Sequence, residues 1–298
     1  MGPPAHSQQD VSRMHATVQD RWQGPDDSPM SMPSDCAVGP QGDLYVLDGV
    51  HNRVVVFDPN GHVRIIFGRE GAALGELRFP LGLTAAPDGK IYIADSGNHR
   101  FETFTADGSA LRAVDLPRLP DAPADPDPTD VSLDPTGTRL YIVDNDNHRL
   151  HLYSLLTDSF VGVWGEPGQG RRQFRYPFLM DTTDQGYLLI VEPINTRVQV
   201  LNAQGKFVGF IGAWGVKAGQ LFRPKGVVSL KGTIFVTDSY LGRVQMFDIR
   251  GQFLGLLCDP QGQPLTLTTP TGIAADAQRR RLYVVELKAD RVCRLDLE

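Results

Sequence analysis

Six acidic residues recur along the chain at near-constant intervals, and an arginine stands five positions after each of them. A carboxylate and a guanidinium in such a pattern can form a charge-assisted hydrogen-bonded pair. A reaction needs one site, whereas this pair occurs six times, so the pattern indicates a structural role in each repeat. The pairs are Asp48 with Arg53, Asp95 with Arg100, Asp144 with Arg149, Glu192 with Arg197, Asp238 with Arg243, and Glu286 with Arg291.

Three other acids stand outside this repeat. A proline opens each of six units, at Pro33, Pro80, Pro128, Pro177, Pro224 and Pro270. Asp35 and Asp130 follow their prolines by two residues, and Asp181 follows its proline by four. If the fold gathers these segments around one axis, the three carboxylates could hold a calcium-like divalent cation. The alternative is a hydrated channel in which the acids accept hydrogen bonds from turn amides.

Two linkers between units also depart from the repeat, because they interleave cationic and aromatic side chains. Such a mixture can pair with phosphates and stack on bases, or it can bind an acidic peptide. The residues are Arg171, Arg172, Arg175, Tyr176, Trp214, Lys217, Arg223 and Lys225. We predict that they form a partner-binding patch, and the alternative is that they are solvated loop residues.

The elements that must position these side chains are short strands. Each unit of about forty-eight residues holds four apolar or β-branched runs separated by Gly and Asp turns, which is typical of a four-stranded antiparallel sheet. The second run ends in the repeated acid, as in IYIAD, and the third begins at the repeated Arg, as in RVVVF. One such sheet cannot bury both of its faces alone. We therefore predict an all-β, six-bladed β-propeller.

The two ends of the chain predict how the ring closes. The sixth unit stops at RVCRLDLE, one strand short, and ATVQDRW near the N-terminus supplies a strand. We expect this N-terminal strand to complete the last blade and so remove an open sheet edge. Residues 16–298 are then a single propeller domain, and residues 1–15 are predicted to be a disordered tail.

His51, His99 and His148 occupy the same loop of three consecutive units, which suggests zinc by residue type alone. In a six-bladed ring these loops lie about 12 Å from the axis and from one another, given strands about 4.8 Å apart. Zinc–nitrogen bonds of about 2 Å cannot bridge such gaps. We interpret these histidines as loop residues.

The segments IYIADSGNHRF, LYIVDNDNHRL and VTDSYLGRVQMFD resemble the NHL repeat, and the linkers GREGAALGELRFP, GEPGQGRRQFRYP and GAWGVKAGQLFRP resemble its spacers. The resemblance covers about residues 16–298. It implies a propeller and a binding role, because NHL propellers serve as RNA readers, protein adaptors, sensor domains and, rarely, lyases. The amidating-lyase branch holds zinc with histidines near the axis. The first-strand segments here contain no histidine and depart from that pattern.

The composition of the chain limits the classes of partner that it can bind and the compartment in which it can lie. With 31 Gly and 22 Pro the chain is rich in turns, and its net charge of -6 provides no global positive field for DNA or an anionic membrane. Three cysteines without a CxxC pair suit a reducing compartment. There is no apolar leader and no run long enough to span a membrane. We expect a cytoplasmic protein.

These observations favour a non-enzymatic scaffold that binds a protein or an acidic macromolecule through the linker loops, without a cofactor. One alternative is a lactonase- or lyase-type enzyme with a cation at the channel mouth. A second alternative is a propeller that binds single-stranded RNA. No Ser–His–acid, phosphate-loop or paired-cysteine motif indicates catalysis.

Overall fold

The computed structural model describes residues 14–298, which form six four-stranded antiparallel sheets in a ring. We number the sheets as blades 1 to 6 in chain order, and within each blade the first strand lies nearest the axis. The first strands of neighbouring blades contact one another around that axis. Residues 1–13, which make up most of the predicted tail, lie outside the described residues.

The strands follow the repeat. Blades 1 to 3 contain β2 (Pro33–Val38), β3 (Leu44–Asp48), β4 (Arg53–Phe57), β5 (Val63–Phe67), β6 (Pro80–Ala85), β7 (Ile91–Asp95), β8 (Arg100–Phe104), β9 (Ala110–Asp115), β10 (Pro128–Leu133), β11 (Arg139–Asp144), β12 (Arg149–Ser154) and β13 (Ser159–Trp164). A short parallel pair, β14 (Glu166–Pro167) and β15 (Gln173–Phe174), lies in the linker after blade 3.

The second half of the ring has the same organisation. Blades 4 to 6 contain β16 (Met180–Thr182), β17 (Leu188–Glu192), β18 (Arg197–Leu201), β19 (Phe207–Ile211), β20 (Pro224–Leu230), β21 (Thr233–Asp238), β22 (Arg243–Phe247), β23 (Phe253–Leu256), β24 (Pro270–Asp276), β25 (Arg281–Glu286), β26 (Arg291–Leu297) and β1 (Ala16–Trp22). Two single-turn 3₁₀ helices, Ser96–Asn98 and Leu287–Ala289, precede third strands.

Burial explains why these residues form strands. Every residue of β3, β7 and β17 is buried, and these strands are rich in Ile, Val, Leu and Tyr, which pack well on a pleated surface. The outermost strands alternate instead, as in β5, where Arg64 and Ile66 face solvent. Each sheet is therefore covered on both faces near the axis and is half-exposed at the rim.

The core lies between blades. One cluster joins Leu47 and Val56 of blade 1 to Leu83, Ile93 and Phe104 of blade 2. Five similar clusters occupy the remaining interfaces between neighbouring blades of the described chain. No sheet buries its faces alone, which is the physical reason for the ring.

The N-terminal strand closes the ring, as predicted. β1 pairs antiparallel with β26 along its whole length, so blade 6 has the order β1-β26-β25-β24. Just before it, Met14 and His15 hydrogen-bond through their carbonyls to the amides of Cys258 and Glu298. No helix in the described part of the chain is long and apolar enough to cross a membrane.

Candidate functional site

One face of the ring carries both the loops between second and third strands and the linkers between blades. We call it the linker face, and its linkers comprise residues 23–32, 68–79, 116–127, 165–176, 212–223 and 257–269. The repeated acid ends each second strand at this face, and the repeated Arg stands directly opposite on the third strand. Local strand pairing therefore brings each acid and Arg together.

In blades 1, 2, 4 and 6 the Arg Nε donates to the carboxylate over 2.6 to 2.8 Å. Blade 3 differs, because Asp144 accepts a hydrogen bond from Nε2 of the buried His151 at 3.0 Å, and Arg149 donates to loop oxygens instead. Blade 5 differs too. There, among residues 14–298, Asp238 accepts only backbone amide hydrogens, and Arg243 donates to carbonyls of the preceding linker.

Three linkers share a braced conformation. In each, a glycine amide donates to a carbonyl six residues onward, and a Glu or Gln side chain accepts an amide hydrogen from the tip of the same linker. The braces are Gly71 with Glu76 after blade 1, Gly168 with Gln173 after blade 3, and Gly215 with Gln220 after blade 4. Each glycine has φ near 150° and would place a Cβ within about 2.4 Å of the brace side chain, so a larger residue would strain the backbone and displace the brace.

Buried polar residues of the next blade anchor the same linkers. Glu102, Gln199 and Gln245 are fully buried, and each accepts an amide hydrogen from a linker tip, at Gly75, Arg172 and Gly219 respectively. The sequence reasoning missed them. A signal exists, because each is a Glu or Gln inside a largely apolar third strand, two positions after the repeated Arg.

The residues that precede several blade-opening prolines have strained backbones. Met32, Phe79 and Tyr176 have φ between 46° and 49°, the left-handed region that side chains rarely adopt. Their amides donate to side chains of the preceding blade, at Asp290, Asn52 and His148. This bonding fixes the three side chains at the surface, where Phe79 is 66% exposed.

Further large apolar side chains are exposed on the linker face. Trp214 is 71% exposed and Tyr240 is 62% exposed. The others on this face are Met32, Val50, Leu74, Tyr176, Ile194 and Val216. Met32, Val50 and Phe79 line one cavity, and exposed apolar groups gathered in this way are characteristic of an interaction site.

The predicted partner-binding residues all lie on the linker face, but they divide into separate groups. Arg171 and Arg172 are exposed, and the Arg171 guanidinium lies 5.2 Å from the Phe207 ring centroid at the outer rim. The exposed Arg175 acts electrostatically on His148, whose ring contacts Tyr176 at a centroid separation of 4.6 Å.

On the next linker Trp214, Lys217 and Arg223 are exposed, whereas Lys225 is half-buried beside the axis. The ammonium of Lys225 lies 4.2 Å from the Phe178 ring centroid. Burial, aided by the nearby Arg223, lowers the pKa of Lys225. Lys225 therefore belongs to the channel mouth rather than to the exposed patch.

The three acids proposed for a cation do come together. Asp35, Asp130 and Asp181 line one central cavity of about 160 Å³. Each carboxylate accepts an amide hydrogen from the first strand of the following blade. The bonds are Leu83 to Asp35 at 3.2 Å, Met180 to Asp130 at 2.6 Å, and Ser229 to Asp181 at 2.8 Å.

Burial governs the charge state of these acids. Desolvation raises the pKa of Asp35 and of Asp181 to about 7, and it raises the pKa of Asp130 well above its usual value. The negative charge of Asp35 adds to the rise in the pKa of Asp130, and that of Asp181 adds to the rise in the pKa of Asp35. Between residues 14 and 298 no group of three or more His, Cys, Asp or Glu side chains is arranged to hold a metal ion. The calcium-like site stays a prediction.

The loop histidines bond locally. Nδ1 of His51 contacts Asp48 at 2.8 Å, Nδ1 of His99 contacts the carbonyl of Pro126 at 2.6 Å, and His148 accepts the amide hydrogen of Tyr176. Their separate partners agree with their interpretation as loop residues.

A comparison with protein families matches residues 77–104 to the NHL repeat. This segment contains the end of the linker after blade 1 and the first three strands of blade 2. It includes the acid and Arg pair that recurs in the other five blades. The chain is a six-bladed β-propeller with an NHL repeat in blade 2.

Curated relatives of this NHL propeller include RING finger protein nhl-1 of Caenorhabditis elegans, 44% identical over 52 residues, which are 17% of this chain and 5% of the relative. Protein brain tumor of Drosophila melanogaster is 30% identical over 136 residues, 45% of this chain and 12% of the relative. Peptidyl-glycine alpha-amidating monooxygenase A of Xenopus laevis is 36% identical over 91 residues, 28% of this chain and 10% of the relative. The NHL propeller thus matches only a small part of each relative.

Solved structures share the fold of the NHL propeller at low identity. A streptogramin B lyase has a TM-score of 0.64 at 16% identity, and the match covers 96% of this chain and 98% of the lyase. A catalytically inactive virginiamycin B lyase from Staphylococcus aureus with quinupristin has a TM-score of 0.65 at 14% identity, covering 98% and 97%. At these identities the similarity establishes the propeller architecture and no activity.

Proposed function

We propose that this NHL propeller is a scaffold that binds a protein partner through its linker face. The observation that carries this proposal is the set of large apolar side chains exposed on that face. Trp214, Tyr240 and Phe79 are each more than 60% exposed, although a folded protein gains nothing by leaving such rings in water.

Two linkers of this face, which carry Tyr176 and Trp214, are held by internal hydrogen bonds without a partner. Internal braces fix the linkers after blades 3 and 4, and Gln199 and Gln245 anchor their tips. Preordered loops lower the entropy lost on binding, so more of the contact energy contributes to affinity.

The exposed cations next to this surface favour an acidic partner. Arg171, Arg172 and Arg175 project from one linker, while the chain as a whole carries a net charge of -6. Positive charge concentrated on one part of an acidic protein steers an acidic partner toward that part. A cytoplasmic location and the absence of a cofactor are part of the same proposal.

The experiment replaces Arg171, Arg172 and Arg175 together by Ala and compares capture of proteins from a cell lysate by mass spectrometry. We expect capture of the specific partner to fall about tenfold, or about 1.4 kcal/mol. The matched control replaces Lys206, Lys231 and Arg250, which are exposed cations in turns of the opposite face, and should retain the partner. Equal capture by both triple variants contradicts the proposal.

The same variants separate the alternative of RNA binding, with single-stranded oligouridylate as the probe. Affinity for RNA falls steeply with salt, and the Arg triple variant would flatten that slope. A protein ligand gives a gentler dependence on salt. Tight, salt-dependent oligouridylate binding that is lost in the Arg triple variant would replace the protein-scaffold proposal by the RNA-reader alternative.

The lactonase- or lyase-type alternative has one observation in its favour, which is the convergence of Asp35, Asp130 and Asp181 on one cavity. Their hydrogen bonds to backbone amides supply a structural reason for the same convergence. The test of this alternative is the response to calcium that accompanies the pH experiment described in the Discussion.

A further inference from the structure

A second cavity opens at the centre of the linker face, at the channel mouth. It measures about 340 Å³, a size within the range of small-molecule sites, which is about 300–1,000 Å³. Its walls are apolar and come from two linkers and several blades, with Met32 and Phe79 from the linkers, Val50 from blade 1, Leu81 from blade 2 and Leu287 from blade 6. We call this cavity the mouth pocket.

One charged residue lines the mouth pocket. Lys225 places its ammonium against the Phe178 ring, and within residues 14–298 no carboxylate lies at salt-bridge distance from it. The arginines of the repeat, by contrast, pair with acids in five blades. Burial costs the ammonium part of its hydration energy, and no ion pair with an anion compensates for that loss.

Two hydroxyl-bearing residues also line the mouth pocket. Ser34 and Thr271 open the first strands of blades 1 and 6, and both are buried. Neither hydroxyl has a hydrogen-bond partner anywhere in the described chain. The equivalent Thr129 of blade 3 is satisfied, since it donates to the carbonyl of Phe178 at 2.9 Å. Buried polar groups without partners are rare in folded proteins and require an explanation.

These observations converge on one class of ligand. An ammonium and two hydroxyls are hydrogen-bond donors, so together they suit an oxygen anion, and apolar walls suit a hydrocarbon body. We propose that the mouth pocket binds a small alkyl carboxylic acid, with the carboxylate at Lys225 and the chain against Val50, Phe79 and Leu81. This small-molecule site goes beyond the proposed partner surface, whose exposed cations lie on the linkers after blades 3 and 4.

The test uses octanoate as the probe, with octanol and octylamine as ligands of the same length but different charge. Isothermal titration to about 10 mM should give binding of octanoate at least about tenfold tighter than that of octanol, and weaker still for octylamine. No octanoate binding in this range, or equal affinity for the three ligands, overturns the proposal.

Substitutions at Lys225 and Ser34 test where the carboxylate of the ligand binds. Lys225→Met removes the ammonium and keeps most of the length of the apolar stem, and it should reduce the preference for octanoate over octanol to less than about threefold. Ser34→Ala should weaken octanoate binding without affecting octanol. The control Lys217→Met removes an exposed lysine of the same face and should leave the preference unchanged. An undiminished preference in Lys225→Met contradicts the assignment.

Failure of this proposal and failure of the proposed function are distinguishable. The triple variant at Arg171, Arg172 and Arg175 should bind octanoate with unchanged affinity, because none of those residues lines the mouth pocket. Lys225→Met, measured on the folded protein, tests the pocket alone.

Discussion

In blade 2 the carboxylate of Asp95 accepts hydrogen bonds from the amide of Arg78 at 2.6 Å, from Asn98 at 2.7 Å and from Nε of Arg100 at 2.8 Å. Arg100 in turn donates to three carbonyls of the preceding linker and pairs with Glu102. One acid therefore ties its own loop, the third strand and the linker together. This role explains why the acid and the Arg recur in the sequence of every blade, with a direct bond between Nε and the carboxylate in four of them, and why they carry no unique chemistry.

The loss of unfolding free energy on replacing the repeated Arg should depend on the blade. Arg100→Met leaves Asp95 and Glu102 buried without their cation, which typically destabilises by about 3–5 kcal/mol. Arg243→Met should cost only about 1 kcal/mol, because Nε of Arg243 has no partner in the described structure and Asp238 is satisfied by backbone amides. Urea unfolding of both variants measures the difference. Equal losses of unfolding free energy in the two variants would show that the Arg stabilises through packing and not through an ion pair with the acid.

The repeat predicts the pairs in blades 1, 2, 4 and 6 but not the substitutions in blades 3 and 5. Strand register decides which residues face each other, and register can be read from the spacing. Asp144 bonds to His151 and not to Arg149 because neighbouring side chains compete for the same hydrogen-bond partners. Arg149 donates instead to Asp121, which lies in the irregular linker before blade 3. No local pattern encodes such competition.

At the scale of elements, the first strands are linked across blades by the channel acids. Asp130 accepts the amide hydrogen of Met180 in the next first strand, and Asp181 accepts that of Ser229. Glycines at the equivalent position make room, since a Cβ on Gly82 would lie 2.2 Å from Asp130 and one on Gly272 would lie 2.3 Å from Asp35. The acids therefore hold neighbouring strands in register around the channel.

These acids should make stability depend on pH. The pKa of Asp181 is about 7 in the folded protein and about 3.8 in the unfolded chain. Between these values the folded state binds more protons, so stability is highest at acid pH and falls as pH rises toward 7. In Asp181→Asn the amide oxygen still accepts the hydrogen of Ser229 and carries no charge. We expect this variant to lose less stability between pH 5 and 7.5, by about 1 kcal/mol or more, in thermal unfolding.

The same titration tests the predicted cation. A calcium ion bound to the three carboxylates would raise the melting temperature of the wild type at pH 7.5, and Asp181→Asn would abolish the rise. We expect neither calcium nor EDTA to change the melting temperature. A calcium-dependent rise confined to the wild type would replace the structural interpretation of these acids by the metal site. An unaltered pH profile in Asp181→Asn would contradict the assigned pKa.

The sequence predicts the strands far better than it predicts the linkers. Strand runs repeat six times, so each unit supports the assignment of the others. The linker braces instead depend on contacts such as Glu102 with Gly75, Gln199 with Arg172 and Gln245 with Gly219, across 26 or 27 residues. Exposure of Phe79 likewise depends on a left-handed backbone held by Asn52 of another blade. Local propensity contains none of this information.

At the scale of the whole molecule, closure joins the two ends of the chain in blade 6. β1 supplies the outer strand, and Trp22 at its end lies 5.3 Å from the Phe57 ring of blade 1 and 5.5 Å from the Tyr283 ring of blade 6, between centroids. Trp22 belongs to the apolar cluster between those blades. One side chain thus stabilises both the completed sheet and the seam where the ring closes.

Two tryptophans of the same chain give the sharpest test of closure. Trp22 is 8% exposed and fills the seam, so Trp22→Ala should destabilise the protein by about 3–5 kcal/mol. Trp214 is 71% exposed on the linker face, so Trp214→Ala should change stability by less than about 0.5 kcal/mol. Urea unfolding followed by circular dichroism measures both variants at equal protein concentration. Because the substitution is identical, the difference reports only what each ring touches. A loss below about 1 kcal/mol for Trp22→Ala would mean that the other contacts of β1 with β26 suffice to close the ring.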